Sequence, residues 1–264
     1  MNIICGTGGR LGNQMFCLAA AYKIAKDYNA NVIGYRQIEG QEPSDYIKHT
    51  VLKKCHYISD SKILENALIY PPKREVCYGN EFKLPICEKI VLYDAFQDMK
   101  FIDREICYNL FGAYDDIKKE IKSIYGDLEE YVCVQVRRTD YIPLQCVGFK
   151  VLDKKYIMEN LEKYYDKSKV LMISDDIEWC KYNFRGEGFV FRDKPCRNDI
   201  EFDLYIQTLC GQGNLISNST FGWWGAFLNE SPTKKVVVSY PWFNYNALNG
   251  LRGIVPSDWI KVEN

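Results

Sequence analysis

The chain is short of the signatures that mark most metal-dependent and nucleotide-dependent enzymes. No Asp-x-Asp occurs in its 264 residues, so the usual carboxylate clamp for a metal-bound diphosphate is missing. There is no Gly-Lys-Ser/Thr, which removes a P-loop, and a dinucleotide fingerprint begun at Gly6 fails because its last position is Leu11. Eleven cysteines fall singly, with no Cys-x-x-Cys pair, which argues against zinc ligation and for reduced, mostly buried thiols. The two histidines, His49 and His56, accompany no obvious nucleophile and read as structural. Charge of one sign is not in excess: the net charge is −1 and the pI about 6.2, so nothing global draws the chain to nucleic acid or to an anionic membrane. No apolar run reaches the ~18 residues of a membrane span, and the N-terminal MNIICGTGGRLGNQMF has no cationic leader, so a cytoplasmic protein with at most peripheral contact at the inner membrane is expected. Asn-x-Ser/Thr patterns at Asn218 and Asn229 are then accidents of composition.

What is present is an ordinary globular composition, 47% hydrophobic and 26% charged, arranged as alternating strands and helices. Residues 2–5 read as a strand, a glycine-rich loop follows, and 13–28 carries an apolar helical stripe before a second strand at 31–35. From 36 to 128 the pattern weakens to short apolar runs such as Ile90–Tyr93 and a polar helix at 114–125. Beyond 130 it is clean: strands at 131–136, 169–173, 188–191, 214–217 and 235–239 alternate with helices near 153–165, from 175, 199–210 and 221–229. This spacing predicts parallel βαβ units in an α/β fold. Two halves are expected, 1–129 and 130–264, with a cleft between them.

Several clusters suggest chemistry. Gly6-Thr7-Gly8-Gly9-Arg10-Leu11-Gly12-Asn13 sets a cation and an amide beside a helix start, where polar ligands bind well; the rival reading is a tight turn. Cys133-Val134-Gln135-Val136-Arg137-Arg138-Thr139-Asp140 is a core strand ending in charge. If it stays extended, Gln135 and Arg137 share one face while Arg138 shares the other with Asp140, leaving Arg137 free to grip an anion and Arg138 to brace on Asp140. Surface ion pairing is the alternative. Ser217, Asn218, Ser219 and Thr220 open a helix after an apolar run, a nest that suits a diphosphate or simply caps the helix. Ser174-Asp175-Asp176 reads as a cap, and Asp203 as a carboxylate able to accept a guanine edge or to sit on a solvated helix face. Trp223 and Trp224 read as packing residues.

Taken together and in order, Gly9–Phe16, Val136–Tyr141, Ser174–Asp176 with Trp179, and Ser217–Ala226 resemble the motifs of the α-1,2-fucosyltransferases of glycosyltransferase family 11. The resemblance runs from residue 9 to 226. It implies a GT-B-like pair of Rossmann-type domains, the first on the acceptor side and the second binding GDP-fucose. It implies GDP-β-L-fucose as donor, no metal or other cofactor, and inverting transfer to the 2-hydroxyl of a galactoside-terminated oligosaccharide or glycolipid. By the same resemblance Arg137 grips the diphosphate, Ser219 and Thr220 are its hydroxyl partners, Asp203 reads guanine, and Arg10 and Asn13 face the sugar and the reacting centre. Gln135, Arg138, Ser217 and Asn218 complete the donor-side set, with Asp140, Ser174, Asp175 and Asp176 at its margin. The family usually has His where this chain has Gln135, which keeps hydrogen bonding but cannot become cationic. The catalytic base stays unassigned. Alternatives are a fucosyltransferase of another linkage, a non-catalytic nucleotide-sugar-binding module, and a nucleotide-dependent oxidoreductase or epimerase built on the glycine loop.

Overall fold

The computed structural model describes residues 1–37, 50–71, 82–147, 149–165, 168–193, 199–242 and 253–264. His49, Cys77 and Cys196, and Pro72 of the Pro71-Pro72 turn, lie outside them. Two compact units emerge: Met1–Gly112 with Gly250–Val255, and Ala113–Asn249 with Pro256–Asn264.

The first unit carries a parallel sheet in the order β2-β1-β4-β3, from β1 (Asn2–Thr7), β2 (Asn31–Gln37), β3 (Leu68–Tyr70) and β4 (Lys89–Tyr93). Helix α1 (Leu11–Asp27) packs on it, and its apolar residues Leu11, Met15, Phe16 and Leu18 with the run Ala19–Ala21 are buried. Small alanines on a helix otherwise rich in long apolar chains allow this close packing on the sheet. Helix α2 (Arg104–Phe111) is capped by Asp103, whose carboxylate accepts from Ile106 N at 3.1 Å. β3 and α2 were not legible in the sequence: β3 has only three residues, two of them exposed.

The second unit is built on a sheet in the order β10-β9-β8-β5-β6-β7, from β5 (Tyr131–Val136), β6 (Lys169–Ser174), β7 (Phe189–Phe191), β8 (Gly213–Ile216), β9 (Lys235–Tyr240) and β10 (Ile260–Glu263). Every pairing is parallel. Counted from β5, this is the Rossmann order 3-2-1-4-5-6, whose connections reverse direction between β5 and β8. Val132, Val134 and Val136 face helix α4 (Lys154–Tyr164) through Tyr156, Ile157 and Leu161, so the central strand is dry on that face. Such double-sided burial is why the strand reads as an unbroken apolar run.

The unit boundary falls at Gly112/Ala113, ahead of the 129/130 division expected from sequence. Helix α3 (Asp115–Tyr125) packs against α6 (Asp199–Thr208), with Tyr125 and Phe202 rings 6.2 Å apart, and so belongs to the second unit. Gly126 and Asp127 punctuate a loop inside that unit.

Seven of the described cysteines are buried and all nine are free thiols. Burial pushes Cys17, Cys55 and Cys107 up to about 12 and Cys180 to about 11, so these remain protonated and unreactive near neutrality. Among the described residues no helix is long and apolar enough to cross a membrane.

Candidate functional site

The C-terminal ends of β5, β6 and β8 lie side by side at the reversal point, where open α/β sheets hold ligands. Three sequence clusters meet there. From β8, Ser217 is fully buried; its hydroxyl donates to Gln135 O at 3.1 Å and accepts from Arg137 N at 2.9 Å. It therefore ties β8 to β5 and sets where Arg137 leaves the sheet, using its one proton and one of its two lone pairs in doing so.

After Val136 the chain turns. Tyr141 N and Ile142 N both donate to Arg138 O, at 2.9 and 2.8 Å. This corrects the extended geometry expected through Asp140. Because residues three apart now lie on one side, Arg137 engages Asp140, with Nε to Oδ1 at 2.7 Å and Nη2 to Oδ2 at 2.8 Å. Arg138 does not brace on Asp140: its Nε pairs with Asp176 Oδ2 at 3.2 Å and its guanidinium lies 3.7 Å over the Trp179 ring. The expected division of labour between the two arginines is thus reversed in its pairing, and Arg137 carries partners in this structure.

β6 supplies the organiser. Asp175 Oδ1 accepts from Arg138 N at 2.8 Å, and its Oδ2 accepts from Thr139 N at 3.2 Å and from the Thr139 hydroxyl at 2.5 Å. The same Oδ2 lies 3.3 Å from Arg137 Nη1. Asp176 caps α5 (Ile177–Asn183) by accepting from Trp179 N at 3.3 Å, and Ser174 Oγ accepts from Asp176 N at 2.9 Å. A cap explains Ser174 and Asp176, as the sequence suggests, but Asp175 does more: it binds the arginine turn to β6. No sequence signal links Asp175 to a turn almost forty positions upstream.

Helix α7 (Thr220–Phe227) begins at Ser219 with no side-chain cap, so its first-turn N–H groups are not taken by a capping hydroxyl. Asn218 is nearly buried; its amide donates to Trp242 O at 3.1 Å, while its backbone oxygen accepts from the Tyr141 hydroxyl at 3.1 Å. Burial pushes Tyr141 up to about 12, keeping that donor protonated. Neither acceptor pattern for glycosylation is accessible: Asn229 is wholly buried, with its amide shared among Cys210 O, Asn214 Oδ1 and Gln207 O. Trp223 and Trp224 are wholly buried packing residues, as expected.

Gln135 is 4% exposed and lies beneath α7. Its amide fits where a side chain at Gly222 would stand: a Cβ there would meet Gln135 Oε1 at 2.6 Å. The oxygen has no hydrogen-bond partner within the protein. Asp203, on α6, lies 2.7 Å from Arg192 Nε, in a contact whose angle is not that of an aligned hydrogen bond, and Arg192 also covers the Phe202 ring at 4.8 Å.

In the first unit the glycine loop follows β1, beside β4. Gly9 has φ of 71°, which favours glycine, and a Cβ there would fall 2.7 Å from Asn13 Nδ2 and displace that amide. Asn13 Oδ1 accepts from Gln97 Nε2 at 3.0 Å, and Gln14 Nε2 donates to Gly9 O at 2.9 Å. Arg10 is exposed and its backbone oxygen accepts from Asn13 N and Gln14 N, starting α1. Gln97 was missed in the sequence because nothing in its surroundings marks it. Among the described residues, no three His, Cys, Asp or Glu side chains gather as metal ligands.

The glycosyl transferase family 11 model matches residues 104–263. An O-antigen biosynthesis glycosyltransferase of Escherichia coli, WbnK, is 27% identical over 231 residues, covering 80% of this chain and 70% of that protein. An alpha-1,2-colitosyltransferase of Escherichia coli is 23% identical over a 307-position alignment that covers 99% of each. Among solved structures, NodZ alpha-1,6-fucosyltransferase soaked with GDP-fucose superposes with a TM-score of 0.54, covering 86% of this chain and 92% of that one, and fucosyltransferase NodZ from Bradyrhizobium with 0.53, covering 85% and 92%. Both are 14% identical, so this likeness is one of fold, a GT-B-like pair of Rossmann-type units.

Proposed function

This chain belongs to glycosyl transferase family 11, and from that premise we propose that it transfers L-fucose from GDP-β-L-fucose, with inversion, to the 2-hydroxyl of a terminal β-galactoside. The observation that carries the reading is the reversal point of the second sheet, where Arg137, the hydroxyl-bearing Ser219 and Thr220, and the side-chain-uncapped start of α7 share one edge. A planar guanidinium and helix N–H groups are complementary to a diphosphate and need no divalent ion, in keeping with the missing Asp-x-Asp. As the bond from C1 to the β-phosphate oxygen breaks, negative charge grows on GDP while the sugar gains oxocarbenium character, and Arg137 stabilises that charge. The acceptor oxygen bonds to C1 from the opposite side and loses its proton to a base that is not assigned. Asp203 is proposed to read guanine, in which case Arg192 must yield its hold on the carboxylate. Arg10 and Asn13 are proposed to serve the sugar. A role in building a surface polysaccharide is proposed from the relative named for O-antigen biosynthesis, and a cytoplasmic location, at most peripheral at the inner membrane, is proposed with it.

The test is GDP release from GDP-fucose in EDTA, with and without lactose or N-acetyllactosamine, a colitose nucleotide as competing donor, and linkage analysis of any product. Acceptor-stimulated release with a Fucα1-2Gal product is expected. Release only with added metal, preference for the colitose nucleotide, or another linkage would each overturn the corresponding part, and GDP binding without release would make the chain a binding module.

A further inference from the structure

β2 ends in a charge that has no counter-charge among the described residues. Arg36 is the last residue but one of β2, at the C-terminal edge of the first sheet, and it pairs with Gly6 of β1 just ahead of the glycine loop. Tyr35 before it is buried, so by alternation Arg36 stands on the other face of the strand. The backbone is held from both sides. The Thr7 hydroxyl donates to Arg36 O at 3.5 Å, while on the outer edge Tyr35 N donates to His56 O and Ile58 N donates to Tyr35 O, each at 2.9 Å.

The residue is partly buried, and its Nη1 is buried without a hydrogen-bond partner. The other partly buried arginines, Arg137, Arg138 and Arg192, each meet a carboxylate; among the described residues none meets Arg36. A guanidinium cannot relieve this by losing its proton. An unpaired buried donor on a charged group destabilises a fold, and its persistence calls for a partner that arrives from outside. The C-terminal edge of parallel strands is where such ligands are held.

We propose that Arg36 binds an oxyanion carried by the acceptor, the carboxylate of an acidic sugar or a phosphate on the glycan, and so selects acceptors with negative charge near the reacting galactoside. The inference rests on the reading of the first unit as the acceptor side. The glycine loop beside Arg36 is held by neutral amides and suits sugar hydroxyls; the arginine adds a planar fork that fits either oxyanion. A role in recognition and a role in holding the fold differ in sign. If the guanidinium supports the fold, replacing it with an uncharged chain of similar length lowers the melting temperature. If it awaits an anion, the same replacement removes an unpaired charge, and the melting temperature holds or rises.

Calorimetric titration of the full chain, wild type and Arg36→Met, with lactose, lactobionate and lactose 1-phosphate decides this. All three present the same terminal β-galactoside, and the last two add a carboxylate or a phosphate. Wild type should bind one charged ligand about tenfold tighter than lactose, the scale of a charge-assisted hydrogen bond, and which one it is identifies the oxyanion. Arg36→Met should lose that preference while melting no lower than wild type, and Arg36→Lys should keep part of it. Arg36→Gln replaces the methionine variant if that one does not fold. Equal binding of the three ligands by wild type, or a preference that survives in Arg36→Met, overturns the inference. In transfer assays with GDP-fucose the preferred ligand should also show the lower KM, and Arg36→Met should erase the difference. If no acceptor is fucosylated while the Arg36-dependent preference holds, the proposed reaction falls and the oxyanion site stands. If neutral and charged acceptors are fucosylated with the same KM, the inference alone falls.

Discussion

The two sheets end in loops of opposite construction. Beyond β1 the backbone is shaped by Gly9 and held by amides, Asn13 to Gln97 and Gln14 to Gly9, with one exposed arginine. Beyond β5 the loop is fastened by carboxylates and a buried hydroxyl, with both arginines ion-paired and Arg138 stacked on Trp179. The contrast teaches where charge has been prepared in advance. Under the proposed reaction, guanidinium groups fixed at this edge would stabilise the charge that develops on the departing diphosphate. The amide-held edge suits neutral hydroxyl groups, whose hydrogen bonds are weaker and whose positions are set by shape.

The largest break in this comparison should come from Arg137→Ala, expected to lower turnover about 10²-fold or more in steady-state assays, the scale of one transition-state donor. Arg10→Ala in the same assay sharpens the contrast: a smaller loss is expected, since no developing phosphate charge is assigned to that edge. Next in size is Gly222→Ala. Its methyl would fall 2.6 Å from Gln135 Oε1, and with the amide packed in place the expected cost is about 1–3 kcal/mol by denaturant unfolding. Gly8→Ala is the control within the other loop: a Cβ there meets nothing within 4 Å, so stability should change by no more than about 0.5 kcal/mol.

Tyr141→Phe should remove the hydrogen bond to Asn218 O and cost about 1 kcal/mol. The pH dependence has a definite sign. Burial raises this phenol from 10.0 to about 12, so the fold favours the protonated form. Its stabilisation is complete below pH 10 and is lost as the pH rises toward 12, where the melting difference between wild type and Tyr141→Phe should shrink. A difference that grows with alkalinity would contradict the burial of this hydroxyl.

Much of the second unit was legible because parallel strands buried on both faces announce themselves as apolar runs, from Val132–Val136 to Val236–Val238. The elements that escaped are those whose signal is short or shared: β3, with three residues, and β10, whose pattern alternates between partly buried and exposed positions at a sheet edge. The site was legible as a set of residues but not as a set of pairs. Alternation along a strand predicts faces only while the chain stays extended, and the turn at Arg138 exchanged the partners of the two arginines. The role of Asp175 was hidden for a different reason: it is set by tertiary contact with the turn after β5, through the backbone N–H groups of Arg138 and Thr139 and the Thr139 hydroxyl, and backbone donors have no sequence signature. Gln135 could be marked as unusual, but that it would pack beneath α7 in a notch made by Gly222 depends on tertiary contact alone.

The most direct measurement of the central claim is a crystal structure of the protein with GDP. The β-phosphate should lie within hydrogen-bond reach of the Arg137 guanidinium and the first turn of α7. GDP bound instead at the glycine loop after β1, or at the β5 edge with its phosphates away from Arg137, would contradict it.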